Sequence, residues 1–279
     1  MIRLGNVFLV STLIAITVLS AVMPVSAITA TGSFISDTVY PGESVSYKIG
    51  LITSSTEPAS NLSATIVWAD QSLEGGLKAA EEDSEDSPYS AADFLSLSTD
   101  TLRTVPGEEV KLLVEGTIPD DDGPAGRYAA VTIAGESAKI GETSGGSKVG
   151  VSVGFLVPVY LTISGKELIQ TGEITDTELS EYTGPDEPIT VSTTFKNTGN
   201  HHYRAVGVSI IKDQDENVVA TASTRATARS IIPRYSMLFK MSFESGLVLE
   251  PGTYTVDMAV AMSDDGTVLD TETTELVVV

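Results

Sequence analysis

Apolar and polar residues alternate along most of this chain, and the longest alternation runs through residues 149–163. Its odd positions are all apolar: Val149, Val151, Val153, Phe155, Val157, Val159, Leu161 and Ile163. A period of two over this length predicts a β-strand with one apolar face. Pro158 has no backbone N–H group, so we expect the strand to bend there or to lie at the edge of a sheet. We interpret this strand as the last of a first domain, leading towards a second.

Shorter alternating segments precede this strand, and turns that contain Pro and Gly separate them. The turns are residues 40–43, 105–108 and 124–128, and the alternating segments around them are 45–51, 62–68, 94–97, 110–114 and 131–133. Short strands with regular turns and no helical period are typical of a β-sandwich. We therefore assign residues 28–165 to a first β-sandwich domain. Within it, residues 71–92 are predicted to form an acidic loop, because the segment 81–86 is too polar to pack.

The same alternation restarts after the first domain and continues to the end of the sequence. Segments 189–195, 206–210, 237–243, 254–262 and 268–279 alternate, with turns at 197–200, 213–217 and 264–266. Tyr128 and Tyr254 each follow a Gly by two residues and open a late strand, which is the place of the tyrosine corner in immunoglobulin-like sandwiches. We assign residues 166–279 to a second domain. The predicted fold class is all-β, with two tandem immunoglobulin-like β-sandwich domains after an N-terminal signal peptide.

The first part of the chain, residues 1–27, has the pattern of a secretory signal peptide. Arg3 gives the positive start, residues 7–22 are mostly apolar, and residues 25–27 are a small-residue cleavage site. The apolar run is shorter than the roughly 20 residues of a full membrane span, which favours cleavage over an uncleaved anchor. No later segment is long and apolar enough to cross a bilayer, so no transmembrane helix is expected in the mature chain. The protein is predicted to be secreted and associated with the cell surface.

Composition narrows the range of partners. The formal net charge is −22, and the chain has no Cys. An acidic surface repels nucleic acid phosphates and anionic lipid heads, so neither is expected as a partner. Without Cys there are no disulfides, thiol nucleophiles or thiolate ligands, and each domain must be held by its hydrophobic core. The charge leaves open a solvated acidic surface, cation binding, or attraction to a cationic partner.

Common catalytic motifs do not occur in the sequence. HExxH, GxSxG, GxGxxG and phosphate-loop motifs are absent, and the carboxylates lie in predicted turns and loops. The two histidines, His201 and His202, are adjacent. Neighbours on a strand face opposite ways, so these two are not expected to hold one metal together. We predict that the protein is not an enzyme, and a hydrolase that uses loop carboxylates is the alternative from that class.

Two acidic turns resemble part of a calcium site. The segment 213–217 matches the first half of a calcium loop, D-x-D-x-N, but Val218 stands where that loop needs Gly. Thr224 stands at the twelfth position in place of Glu. The segment 120–122 is a run of three Asp at a predicted corner of the first sandwich. No cofactor is predicted, and calcium at either turn is an open alternative to a polar turn.

The combination of these motifs resembles a known pair of modules. Residues 40–43, 68–70, 105–108 and 126–128 are similar to the N-terminal domain of WxL-interacting proteins and, more remotely, to the first domain of periplasmic pilus chaperones. Segment 157–165 looks like the closing strand of that domain, and segments 195–200 and 249–256 look like its second, immunoglobulin-like domain. The resemblance implies a cell-surface protein whose two domains bind an envelope polymer and a partner protein.

Two functional hypotheses follow from the predicted fold and from the resemblance. The leading one is a non-catalytic exported cell-surface protein, a binding or structural module that contacts envelope polymer or partner proteins through sandwich edges or loops. The alternative is a pilus-type assembly chaperone that acts by β-strand complementation through the strand at 149–163. The candidate partner-strand face consists of Val149, Val151, Val153, Phe155, Val157 and Val159. If this face is buried in the protein's own core, it cannot receive a partner.

Overall fold

In the computed structural model, residues 28–80, 87–120, 123–135, 154–225 and 229–279 are described, and every regular secondary-structure element among them is a β-strand. The predicted fold class is confirmed, since the strands form two tandem immunoglobulin-like β-sandwiches. The predicted signal peptide lies outside the described residues. Within the described ranges, no helix is long and apolar enough to span a membrane.

The first sandwich consists of the first ten strands. They are β1 (Ile28–Thr31), β2 (Ile35–Val39), β3 (Ser44–Thr53), β4 (Asn61–Gln71), β5 (Leu77–Ala79), β6 (Leu95–Leu97), β7 (Thr101–Arg103), β8 (Glu109–Thr117), β9 (Gly126–Gly135) and β10 (Gly154–Ile163). One sheet has the order β1-β3-β8-β6, and the other has the order β2-β10-β9-β4-β5 with β7 paired to β4. The pair of β2 with β10 is parallel, and the other pairs of these strands are antiparallel.

Glycine turns set the geometry between several of these strands, as the sequence predicts. Gly42, between β2 and β3, has a φ of 76°, which side chains disfavour. Its N–H donates to the carbonyl of Ile118 at 2.9 Å. The N–H of Glu43 closes the turn by donating to the carbonyl of Tyr40 at 3.0 Å. Gly107, before β8, has a φ of 77° and makes the equivalent turn at the other end of the sheet.

The core of the first sandwich lies between the inward faces of its two sheets. Its buried residues include Ile49, Leu51, Leu112, Val114, Val131, Ile133, Val159 and Leu161. Buried positions alternate with less buried ones along parts of β4 and β8, because successive side chains of a strand point to opposite faces of the sheet, whereas β9 is buried on both faces over residues 126–131. The odd-numbered residues of β10 from Val157 to Ile163 belong to this core.

The second sandwich consists of the last seven strands. They are β11 (Gly172–Leu179), β12 (Thr190–Asn197), β13 (Ala205–Lys212), β14 (Val218–Ser223), β15 (Ser236–Ser242), β16 (Gly252–Met262) and β17 (Val268–Val278). The two sheets have the orders β11-β12-β15 and β14-β13-β16-β17, and all their pairs are antiparallel. The aromatic and sulfur-containing side chains of Phe195, Phe239, Met241 and Met258 are buried between them.

The two tyrosines that we predict to act as corner residues have different partners. The hydroxyl of Tyr254 donates to the carbonyl of Glu250 at 3.0 Å, which is the corner bond expected of an immunoglobulin-like sandwich. The hydroxyl of Tyr128 instead lies 3.1 Å from Nδ1 of His202, in the other sandwich. The corner prediction is therefore confirmed for Tyr254 and wrong for Tyr128, because the second sandwich packs against the strand that Tyr128 belongs to.

Candidate functional site

The two sandwiches meet on the outer face of the sheet that contains β10. Tyr128, Ala130 and Tyr160 of this face pack with Ala69 and with Ile232, which comes from the segment between β14 and β15. All five residues are buried. The rings of Tyr128 and Tyr160 meet edge to face with their centroids 5.1 Å apart, a favourable aromatic geometry. A separate apolar cluster, which we call the interdomain joint, thus holds the two sandwiches together.

Hydrogen bonds across the interdomain joint add to this apolar contact. The side-chain nitrogen of Gln71 donates to the carbonyl of Ser230 at 2.8 Å, and its side-chain oxygen accepts from the N–H of Ile232 at 3.1 Å. Gln71 is only 6% exposed. The N–H of Leu238 also donates to the carbonyl of Leu73 at 2.8 Å. Because buried polar groups are costly to leave unpaired, these bonds favour one arrangement of the two sandwiches.

Both histidines lie in the interdomain joint, and their rings are side by side and not on opposite faces as they would be on a strand. Their ring centroids are 4.2 Å apart, because the pair lies between β12 and β13 and not on a strand. Nε2 of His201 is 2.9 Å from the hydroxyl of Thr162. The backbone N–H of His202 donates to the hydroxyl of Tyr128 at 2.9 Å. The ring of Tyr160 packs against His202 with centroids 5.0 Å apart.

Burial sets the protonation state of this cluster. Desolvation, with a smaller contribution from the neighbouring His201, lowers the pKa of His202 to about 3. Desolvation also raises the pKa of Tyr160 to about 12 and holds the pKa of Tyr128 well above its ordinary value. At neutral pH the His202 ring is therefore uncharged, and its Nδ1 can accept a hydrogen bond from the Tyr128 hydroxyl. The cluster is a neutral, buried part of the interdomain joint.

An open cleft lies beside the interdomain joint, where the second sandwich leaves the outer face of the sheet uncovered. The cleft has a volume of about 480 Å³. It is lined by Phe34, Leu77, Leu156, Pro158, Tyr160, Arg229 and Ser230. Phe34 is 56% exposed, and its ring meets that of Tyr160 edge to face at 5.3 Å. The cleft therefore combines an apolar wall from the first sandwich with a cationic side chain, Arg229, from the second.

The first half of β10 forms an open sheet edge next to this cleft. β10 pairs with β9 from Gly154 to Thr162, but it pairs with β2 only from Val159 onwards. Along residues 154–158, no strand among the described residues pairs with the second edge of β10. A strand segment of this length extends over roughly 16 Å. The edge can therefore accommodate a short additional strand.

The backbone groups of this edge point away from the sheet. Tyr128 uses its N–H and C=O to bond residues 89–91, at 2.7 and 2.9 Å, so it exchanges no hydrogen bonds with Tyr160, its neighbour in β10. Hydrogen-bonded and non-bonded pairs alternate along an antiparallel ladder. Leu156 and Pro158 are at alternate positions of β10 from Tyr160, so their backbone groups also point away from β9. Pro158 is tolerated here because it has no N–H group and the bond to β9 does not require one.

Part of the predicted partner-strand face belongs to the protein's own core. Val157 and Val159 are 1% and 0% exposed, and Phe155 packs against the same core. These side chains face the opposite sheet of the first sandwich, so they are not open to a partner. Three further positions of the predicted face lie outside the described residues: Val149, Val151 and Val153. For these three, contact with a partner strand stays a prediction.

The residues that line the cleft from β10 are the even-numbered ones, which the sequence does not single out. Leu156, Pro158 and Tyr160 alternate with the buried positions and face the second sandwich. The apolar odd positions of the pattern identify the face that packs in the core, because in an antiparallel sheet the core face is commonly the more apolar one. The one signal in the sequence is Pro158, which indicates an unpaired edge at this point of the strand.

The segment 213–217 is a hydrogen-bonded turn. The carboxylate of Asp213 accepts the backbone N–H groups of Asp215 and Asn217, each at 2.9 Å. The side chain of Asn217 donates to the same carboxylate and is the largest cause of the lowered pKa of Asp213. At the other candidate turn, residues 121–122 lie outside the described residues. Over the ranges that the structure describes, no three His, Asp or Glu side chains are grouped as a metal site would require.

Comparison with known proteins gives likenesses in structure alone. No family model matches the chain, and no curated protein matches it. It is similar to a chain from a chaperone–tip adhesin complex of CFA/I fimbriae, with 9% identity and a TM-score of 0.44 over 91% of this chain and 100% of that chain. It is also similar to the Escherichia coli chaperone DraB, with 10% identity and a TM-score of 0.38 over 90% of this chain and 98% of that chain. The Pseudomonas aeruginosa CupB2 chaperone is similar with 12% identity and a TM-score of 0.37, over 90% of this chain and 100% of that chain. The resemblance to WxL-interacting proteins stays a prediction.

Proposed function

We propose that this chain is a non-catalytic exported protein that binds an extended segment of a partner protein as an added strand on β10. The observation that carries the proposal is the open edge at residues 154–158, which adjoins an apolar cleft. In β-augmentation, backbone groups of such an edge bond to the partner's main chain, and neighbouring pockets select its side chains. Strand addition of this kind corresponds to the assembly-chaperone hypothesis.

The position of β2 limits the length of the partner segment. β2 occupies the second half of the same edge from Ile35 onwards, and Phe34 lies immediately before it. An added strand can therefore pair with residues 154–158 and must end or turn away at Phe34. Exposed edges invite unwanted pairing, and proteins commonly protect them. An edge that stays open beside an apolar cleft is suited to a short, specific segment.

The cleft favours a particular kind of side chain on the partner. Side chains of an added strand alternate between the two faces of the sheet. Those on the outer face would lie against Leu156, Tyr160 and Phe34, which selects apolar residues. Arg229 places a positive charge at this cleft in a chain whose formal net charge is −22. The charge favours a partner segment that is neutral or acidic over a basic one.

Export of the chain and the limits of its two domains belong to the same proposal. We propose that residues 1–27 direct export and that the partner is met at the cell surface or in the envelope. We also propose the domain limits 28–165 and 166–279, in agreement with the end of β10 at Ile163 and the start of β11 at Gly172. Contact with an envelope polymer stays a prediction, because no feature of the cleft favours a polymer over an extended peptide.

The substitution Leu156→Pro tests strand addition at this edge. It removes an N–H group that points away from β9, so the free protein should lose less than about 1 kcal/mol of stability. A partner strand would lose a hydrogen bond and meet the proline ring, so its dissociation constant should rise at least about tenfold. The probe is a fluorescent peptide of alternating Val and Thr residues, and binding is measured by anisotropy.

The matched control for this experiment is Leu156→Val, which keeps the backbone N–H group and an apolar side chain. It should bind the peptide with little change in affinity. Hydrogen exchange gives an independent measurement, since bound peptide should protect the amides of Gly154 and Leu156. Equal binding by the two variants, or binding that leaves these amides unprotected, would show that the peptide is held elsewhere and would overturn the proposal.

A further inference from the structure

The second sandwich has an exposed edge strand without charged residues. β14 bonds to β13 on one side, and no described strand lies on its other side. Its sequence, VVATAS, has no charged residue, Pro or Gly. Val218 is 60% exposed. Edge strands are normally protected by Lys, Pro or inward-pointing charges, so a neutral, β-branched edge is suited to pairing with another strand.

On the opposite side of the same sandwich, hydrogen bonds link the edge strands of the two sheets, in contrast to the side that contains β14. There, the N–H of Ile174 in β11 donates to the carboxylate of Asp270 in β17 at 2.7 Å. The hydroxyl of Thr177 donates to Glu272 of β17, also at 2.7 Å. These bonds link the edges of the two sheets. On the β14 side, a groove of about 310 Å³ separates Val219, Ala220 and Thr221 from residues 244–247 and leaves room for a further strand.

The hydrogen-bonding pattern of β14 determines which of its backbone groups are free. The N–H of Thr224 donates to the carbonyl of Gly207 in β13 at 2.9 Å. Because bonded and non-bonded pairs alternate, Ala222 also faces β13, whereas Thr221 and Ser223 direct their backbone groups outwards. Residues 220–223 keep a continuous register with β13. The free groups of Thr221 and Ser223 therefore form a short, regular edge.

We propose that β14 pairs antiparallel with β14 of a second copy of this chain, so that the two four-stranded sheets become one. The proposal is independent of strand addition at β10. A two-fold axis beside Thr221 or Ala222 matches the outward groups of one copy with those of the other. With the axis beside Thr221, residues 219–223 of the two copies lie opposite each other and are all uncharged; with the axis beside Ala222, the uncharged residues 220–224 lie opposite each other.

Charge supports a second copy as the occupant. Two chains with a formal net charge of −22 repel each other over most of their surface, so a contact between copies needs a neutral patch. β14 itself is neutral, and Lys212 and Asp257 of its sheet pair with each other at 2.7 Å, whereas Glu244 lines the far side of the groove. Glu216 precedes β14 and Arg225 follows it. Antiparallel pairing brings the acidic end of each strand near the basic end of its partner.

The oligomeric state of the purified protein tests this interface. Sedimentation velocity should show a concentration-dependent dimer. The variant Thr221→Pro removes an outward N–H group on both copies at once, so the dimer dissociation constant should rise at least about tenfold. Its melting temperature, extrapolated to low concentration, should stay close to that of the wild-type monomer, because no strand among the described residues pairs with this side of β14.

The matched control is Thr221→Ser, which keeps the N–H group and should dimerise as the wild type does. A wild-type protein that stays monomeric at every concentration would overturn the proposal. A dimer that persists unchanged in Thr221→Pro would also overturn it, because the interface would then lie elsewhere. The variant Leu156→Pro should dimerise normally, so failure of this interface can be told apart from failure of strand addition at β10.

Discussion

Replacing Gln71 with Ala is expected to lower the free energy of unfolding by about 2–4 kcal/mol, since each buried polar group left unpaired costs about 1–3 kcal/mol. The substitution leaves the carbonyl of Ser230 and the N–H of Ile232 without their partner at the interdomain joint. Urea unfolding followed by tryptophan fluorescence measures the effect. Trp68 is the single Trp of the chain, and its ring lies 5.9 Å from that of Tyr235, across the interdomain joint. The signal therefore reports on the contact that the substitution weakens.

A surface glutamine provides the control for this variant. Gln214 lies exposed in a turn of the second sandwich, and Gln214→Ala should change the free energy of unfolding by less than about 0.5 kcal/mol. Equal losses in the two variants would contradict the role assigned to Gln71. Because Arg229 and Ser230 line the cleft next to this contact, Gln71→Ala should also weaken binding of the alternating peptide.

The fold could be predicted from the sequence because its signals are local. The alternation at 45–51 makes one apolar face, and the Gly at position 42 permits the turn before it, so the strand and its start follow from neighbouring residues. The corner bond of Tyr254 is also local, since its acceptor Glu250 is four residues away. Patterns of this kind fix strands and turns without reference to the rest of the chain.

The candidate site could not be predicted in the same way because it depends on contacts between distant residues. Gln71 is hydrogen-bonded to Ile232 across the interdomain joint, and no local sequence pattern in either segment predicts this contact. The alternation of 149–163 identifies an apolar face, but it does not say that the face is covered by the chain's own second sheet. Whether β2 runs along the whole of β10 or only from Val159 decides where the edge is open. That register is a tertiary property.

Acid is expected to destabilise the interdomain joint through His202. Burial lowers the pKa of this side chain from 6.5 to about 3, so the unfolded chain binds a proton at a higher pH than the folded chain does. Stability should therefore fall as the pH drops from about 6.5 towards about 3 and stay level above that window. The slope from one such group reaches at most about 1.4 kcal/mol per pH unit. Urea unfolding at a series of pH values measures it.

Substitution of His202 separates the loss of stability caused by its protonation from the loss caused by protonation of carboxylates. Asp213 and Asp257 have pKa values below their ordinary value of 3.8, so their contribution is lost only as the pH falls through that range. His201, whose pKa is also lowered by burial, adds to the loss in the same window. His202→Asn should therefore flatten, without abolishing, the dependence between about 4 and 6.5. An unchanged slope in this variant would mean that His202 is not the group responsible.

The variant Tyr128→Phe then tests whether desolvation or the hydrogen bond of the Tyr128 hydroxyl determines the lowered pKa of His202. It removes the hydroxyl that lies 3.1 Å from Nδ1 but keeps the aromatic ring that covers the histidine. If desolvation is the main cause, the variant should be less stable at every pH yet keep the slope of the wild type. If the hydrogen bond from the hydroxyl is the main cause, the slope should fall as it does in His202→Asn. The first outcome is expected, because the aromatic rings of residues 128 and 160 in the first sandwich cover the histidine ring whether or not the hydroxyl is present.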